Sequence, residues 1–304
     1  MAVKTVQAII NGVTTTLTYN AETKKYEATV TAPAKSSYNN NDGHYYPVTI
    51  KATDEAGNTT TKNDTDATLG GSLKLKVKEK TAPVSTITYP TASALTTNNK
   101  PVIKWKVTDD DSGVNPDTIG ITIDSGSKVT GSAITKTAIT GGYECTYTPT
   151  TALADGGHTI KVDASDNDGN AAAQKSVTFK IDTVPPTLSV TAPANGLVTN
   201  KSACTVTGTT NDVTSSPVTV TIKLNSGTAE AVTVNSDGGF SKALTLVAGS
   251  NTITVVATDS AGKSTTVTRT VTLDTVSPTI KSVAITPNPV DAGKTYIISV
   301  EVTD

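Results

Sequence analysis

Residues 52–58 read Ala-Thr-Asp-Glu-Ala-Gly-Asn. Nearly the same phrase returns as Ala-Ser-Asp-Asn-Asp-Gly-Asn at 164–170 and as Ala-Thr-Asp-Ser-Ala-Gly-Lys at 257–263. Apolar residues stand at alternate positions before each phrase. Val48, Ile50 and Ala52 lead to Asp54, Ile160, Val162 and Ala164 to Asp166, and Ile253, Val255 and Ala257 to Asp259. A period of two marks a strand with one buried face. The residues between, such as Thr49, Lys51 and Thr53 or Lys161, Asp163 and Ser165, fall on the water-facing side. The phrase itself then turns the chain. Asp bonds its own downstream backbone, and Gly takes the positive φ that closes a short loop. A second strand follows each time.

A second landmark repeats with the first. Glu79-Lys80-Thr81-Ala82-Pro83, Asp182-Thr183-Val184-Pro185-Pro186 and Asp274-Thr275-Val276-Ser277-Pro278 each precede a run of short strands. Thr81, Thr183 and Thr275 lie about 100 residues apart, with turn signals roughly every 8–12 residues, the pattern of an immunoglobulin-like sandwich. Helical periodicity is absent. The expected fold class is therefore all-β.

Composition is consistent with this. The chain has 304 residues, 36% of them hydrophobic, with one Trp, two Phe and one Met. Such lean core material suits several small sandwiches built on Val, Ile, Ala and Thr. The balance of 25 basic against 27 acidic residues has no basic run, which argues against nucleic acid and anionic membranes as partners. No apolar stretch is long enough for a transmembrane helix, so membrane insertion is not expected. The first twenty residues carry neither a long apolar segment nor a small-residue cleavage site, and do not read as a secretory signal. Cys145 and Cys204 both alternate with strand residues and fall in different repeats, so each reads as a small core residue and not as half of a disulfide.

The run Gly-His-Thr-Ile-Lys-Val-Asp-Ala-Ser-Asp-Asn-Asp-Gly-Asn at 157–170, followed by Asp-Thr-Val-Pro-Pro at 182–186, resembles the tandem bacterial immunoglobulin-like domains of surface adhesins and of phage or prophage virion proteins. The third unit, with Asn195-Gly196 and Val-Asn-Ser-Asp-Gly-Gly-Phe at 234–240, is also similar to all-β accessory domains of secreted glycan-active enzymes. The resemblance spans the chain and implies fold far more strongly than function. It divides the chain into Ig-like domains at 1–80, 81–182 and 183–274. Residues 275–304 would form the first strands of a partial fourth, because Ile298, Val300, Val302 and Asp304 share the register of Ile103, Trp105, Val107 and Asp109. Short Pro-bearing linkers predict a semi-rigid rod, each unit about 35–40 Å long.

Candidate sites are few, and each has a structural alternative. Asp166, Asp168, Asn170 and the linker Asp182 could supply oxygens to calcium; the alternative is that they only form turns. Tyr38, Tyr45 and Tyr46 surround an Asn-rich loop and could stack on a sugar; the alternative is packing at a sandwich corner, where Tyr46 matches His158 and Asn251 in the other repeats. Trp105 reads as core. Catalysis is not expected: His44 and His158 lie in separate units, neither Cys has a local His partner, and no nucleophile-elbow, P-loop or zinc spacing occurs. The functional expectation is a non-enzymatic structural or adhesive rod, located on a virion or at a cell surface. Its expected partners are other virion or surface proteins, host glycans, and further copies of itself through 275–304. The alternatives are a spacer or binding module of a secreted adhesin or glycan-degrading enzyme, and a self-assembling filament subunit.

Overall fold

A computed structural model describes residues 2–304, which divide into two compact units, one ending at Ile181 and one running Asp182–Asp304. The regular structure is antiparallel β-sheet throughout, apart from two short parallel edge pairings and the single 3-10 turns Gly70–Leu73 and Gly131–Ala133. Among the described residues no helix is long and apolar enough to cross a membrane.

The first unit holds one complete sandwich. One sheet runs Val114–Ile123, Gly156–Asp166, Lys175–Ile181, Leu95–Thr96. The other runs Thr135–Ile139, Gly142–Tyr147, Ile103–Thr108, Val84–Tyr89. The inward positions of both sheets meet in one core that includes Ile103, Trp105, Val107, Ile119, Ile121, Cys145, Ile160, Val162, Phe179 and Ile181. The alternation seen in the sequence is thus the alternation of burial. Gly142 is required by close approach: a Cβ there would collide with the Val107 carbonyl oxygen of the neighbouring strand.

The second unit contains the other complete sandwich. Its three-stranded sheet orders Thr187–Ala192, Ala203–Asn211, Gly239–Thr245, and its five-stranded sheet orders Leu197–Thr199, Ser264–Leu273, Gly249–Thr258, Thr219–Leu224, Glu230–Val232. Val206, Val220, Ile222, Phe240, Ile253, Val255, Ala257 and Val271 are among its core residues. Beyond it, Thr279–Thr286 and Ile297–Thr303 pair as a two-stranded hairpin. Ile280–Val302, Val283–Val300 and Ile285–Ile298 pair across it, and all six side chains are exposed.

The expectation for 1–80 is corrected. These residues form one six-stranded sheet, Lys25–Glu27, Val13–Asn20, Val3–Ile10, Tyr46–Asp54 and Thr59–Lys62 in order, with Lys74–Leu75 added to Tyr46–Asp54. No second sheet faces it among the described residues. Its buried apolar residues are Ala8, Tyr46 and Leu73, and neither buried apolar cluster includes them. The cause lies in composition. Strands such as Val13-Thr-Thr-Thr-Leu-Thr-Tyr-Asn20 alternate, but their outward rows are Thr and their apolar rows are sparse, so burying a facing sheet would gain little.

Because Trp105 is fully buried at the centre of the first sandwich, Trp105→Ala should lower its unfolding free energy by about 3–5 kcal/mol. Urea denaturation checks this; a change below 1 kcal/mol, on the order of an exposed substitution, would contradict the core assignment.

Candidate functional site

The repeated phrase is a turn, built alike three times. Asp54 Oδ1 accepts the backbone N–H of Asn58 at 2.9 Å, Asp166 Oδ1 that of Asn170 at 2.7 Å, and Asp259 Oδ1 that of Lys263 at 2.8 Å. In each, the Asp backbone N–H donates to the carbonyl of that same residue at 3.0 Å, and the Gly has positive φ: Gly57 91°, Gly169 94°, Gly262 82°. Local side-chain-to-backbone bonding of this kind favours a turn over strand continuation. The first two copies carry one more bond. Asn58 Nδ2 donates to Asp54 Oδ2 at 2.9 Å, and Asn170 Nδ2 to Asp166 Oδ2 at 2.6 Å. The Asn58 bond is the main reason that the Asp54 carboxyl is held below its usual range.

Strand alternation delivers further carboxylates to the same end of each sandwich. Asp109 follows the strand Ile103–Thr108, and its Oδ1 accepts the N–H groups of Asp111 and Gly113. Asp212 follows Ala203–Asn211, and its Oδ1 accepts those of Thr214 and Ser215. The segment leading into each sandwich adds the third member. Oxygens of Glu79, Asp109 and Asp166 lie within 4.8 Å of one another, as do oxygens of Asp182, Asp212 and Asp259.

The four residues expected at calcium are therefore divided. Asp166, Asp168 and Asn170 belong to the first unit, where they work as a hydrogen-bonding platform. Asp168 Oδ2 accepts the N–H of Glu79 at 3.0 Å, the Asp168 carbonyl accepts from Lys78 Nζ, and Asn170 Nδ2 also reaches the Glu79 carbonyl at 3.2 Å. Glu79 Oε1 in turn accepts the Ser112 N–H at 2.6 Å, and Asp111 Oδ1 accepts the Ser36 N–H at 3.0 Å. These acids tie the segment 77–80 and the Asn-rich loop to the sandwich. Asp182 belongs to the second unit, with Asp212 and Asp259. Asp212 was not singled out from the sequence. The signal was present, since Val206, Gly208, Thr210 and Asp212 repeat the register of Ile103, Trp105, Val107 and Asp109.

The tyrosines do not form one exposed platform. Tyr46 is buried, with its hydroxyl toward the Lys35 carbonyl at 3.2 Å, so its place in a sugar site is withdrawn in favour of corner packing. Tyr45 is half-buried; its hydroxyl donates to Asp64 Oδ2 at 2.9 Å, which raises the phenol pKa, and Lys74 Nζ lies 4.9 Å from its ring centre. Tyr38 is half-buried and stacks on His44, centroids 4.0 Å apart and planes 10° from parallel.

His158 is a corner residue. Its Nδ1 meets Asp124 Oδ2 at 2.8 Å and its Nε2 the Ala154 carbonyl at 2.7 Å, so both ring nitrogens face acceptors. Asp124 also accepts the Thr159 N–H at 2.7 Å. The second sandwich rebuilds this lock without charge: Asn251 bonds the Val247 backbone, and Asn225 Oδ1 accepts the Thr252 N–H at 2.7 Å. Asp124 and Asn225 both hold positive φ, 53° and 51°. The thiols are free. Burial pushes the Cys145 thiol up to about 11, and Cys204 is raised by the same cause.

Residues 88–183 match the family model described as a bacterial Ig-like domain, and residues 186–275 match that described as glucodextranase, domain B. A comparison with curated proteins gives no match. Similar solved structures include the fibronectin(III)-like modules of Clostridium thermocellum CbhA, 20% identical with a TM-score of 0.33, covering 62% of this chain and 94% of that one. An I-band fragment of titin is 14% identical with a TM-score of 0.44, covering 90% and 88%. The Bacteroides ovatus protein SGBP-B of a mixed-linkage glucan utilization locus, solved with a mixed-linkage heptasaccharide, is 15% identical with a TM-score of 0.24, covering 92% and 62%.

Burial alone lowers the His158 pKa, but its hydrogen bonds to the Ala154 carbonyl and Asp124 carboxylate, with the charge of Asp124, outweigh that and raise it above 6.5. A pKa raised on folding stabilises fully below the unfolded value and loses that contribution as pH rises through the folded one. The melting temperature should therefore fall as pH climbs from below 6.5 through the folded pKa, and His158→Asn should flatten that slope. Thermal unfolding across pH checks it; an unchanged slope in the variant would contradict the lock.

Proposed function

We propose that this chain is a non-catalytic structural and adhesive segment of immunoglobulin-like sandwiches, carried on a phage or prophage particle as a tail or capsid decoration and aiding contact with host surface glycans. One observation carries the reading: groups capable of chemistry are consumed by repeated architecture. His158 rebuilds the corner that Asn251 makes in the next sandwich, Cys145 is buried with its thiol pushed up to about 11, and the aspartates close turns. Residues placed this way present a rigid scaffold. Loop tips on such scaffolds are where contact with a partner concentrates, and the stacked Tyr38–His44 pair stands on the loop that would meet a sugar.

Two further readings each have a supporting observation. The match of 186–275 to glucodextranase domain B favours a spacer in a secreted glycan-degrading enzyme. The six exposed apolar residues paired across Thr279–Thr286 and Ile297–Thr303 favour an assembly in which another copy covers that face; two strands alone are marginal in water.

Induced source cultures separated on a density gradient, with the chain sought by mass spectrometry, test the main reading. The chain is expected in the particle band; finding it in the secreted fraction with glycan-degrading activity would replace the particle reading by the enzyme one. For assembly, sedimentation at rising concentration should show oligomers that the Ile298→Asp, Val300→Asp double variant lacks. A monomer at every concentration would contradict self-association.

A further inference from the structure

Asp182, Asp212 and Asp259 are 0%, 8% and 6% exposed, and one oxygen of each lies within 4.8 Å of the others. Three carboxylates so close and so buried repel one another and lose hydration. Among the described residues no Lys, Arg or His forms an ion pair with any of them. Their partners are backbone N–H groups and one hydroxyl: Val184 to Asp182 Oδ1, Thr214 and Ser215 to Asp212 Oδ1, Lys263 to Asp259 Oδ1, and Ser215 Oγ to Asp182 Oδ2. Asp259 Oδ2 is buried and has no hydrogen-bond partner.

That vacant acceptor has a specific cause. At the corresponding oxygen of Asp54 and Asp166 an Asn side chain donates, from Asn58 and Asn170. Here the residue is Lys263, which supplies its backbone N–H and no amide. The first unit's trio of Glu79, Asp109 and Asp166 lacks this feature, because both Asp166 oxygens are engaged by Asn170. Ser112 Oγ, next to that trio, is also without a partner, but a hydroxyl brings no charge to neutralise.

We propose that Asp182, Asp212 and Asp259 hold a divalent hard cation, calcium being the one to test, with Asp259 Oδ2 as a direct ligand. Hard cations take several oxygens, carboxylates foremost, and waters or carbonyls complete the shell. The cation supplies the positive charge that the cluster otherwise lacks. The proposal is independent of where the protein works.

The test is calcium titration of the full chain, stripped with chelator and then freed of it, by calorimetry and by thermal unfolding, with magnesium in parallel. The wild type and Asp166→Asn should bind and gain thermal stability. Asp259→Asn should weaken binding about tenfold or more by removing a charged ligand. Lys263→Asn should do likewise while keeping the fold, since Asn occupies that position in the other two copies, and it should raise the melting temperature in chelator by filling the vacant acceptor. Absence of any calcium or magnesium response in the wild type, or a response unchanged in both second-unit variants, would overturn the proposal.

Discussion

One carboxylate oxygen accepting the backbone N–H of the residue four positions on is the contact from which the rest of this structure follows. It is present at Asp54, Asp166 and Asp259. By closing the turn it fixes how Tyr46–Asp54 pairs with Thr59–Lys62 and how Gly249–Thr258 pairs with Ser264–Leu273. Once that register is set, period-two alternation sends every second residue inward, and a slip by one would reverse both faces. Eight residues before each Asp, the same register delivers Tyr46, His158 or Asn251 to a corner, where each finds a backbone acceptor. Turn, core and corner are therefore a single arrangement repeated, with its side chains changed.

Much of this is legible in sequence because it is local. Asp-x-x-Gly carries its own hydrogen-bond logic, and the strand leading to it shows its buried face by alternation. Trp105 and Cys145 are read correctly on that basis. What sequence does not show is whether a buried-looking face is covered. Val13-Thr-Thr-Thr-Leu-Thr-Tyr-Asn20 alternates as a sandwich strand does, yet a single sheet results, since alternation reports an inward side and not the presence of a second layer. Long-range pairing is similarly hidden. His158 and Asp124 are 34 residues apart, and Asp182 and Asp212 join Asp259 from elements that only folding brings together.

The repeats also show how one scaffold can diverge without changing shape. The turn needs only the backbone N–H of its fifth residue, so that residue's side chain is free to vary. Asn at positions 58 and 170 caps the second carboxylate oxygen; Lys at 263 leaves it open. A buried acceptor without a donor is destabilising unless something else approaches it. Lys at 263, which breaks the Asn pattern of the other two copies, is what frees that oxygen.

The most direct test of this account is a pair of double-mutant cycles in chelator, measured by urea unfolding: Asp166→Ala with Asn170→Ala, and Asp259→Ala with Lys263→Ala. Alanine keeps the backbone N–H at the fifth position, so each cycle isolates the side-chain bond. The account predicts a coupling of about 1.5–3 kcal/mol in the first cycle, the range for a hydrogen bond to a charged group, and a coupling near zero in the second. Equal couplings in the two cycles, or none in the first, would contradict it.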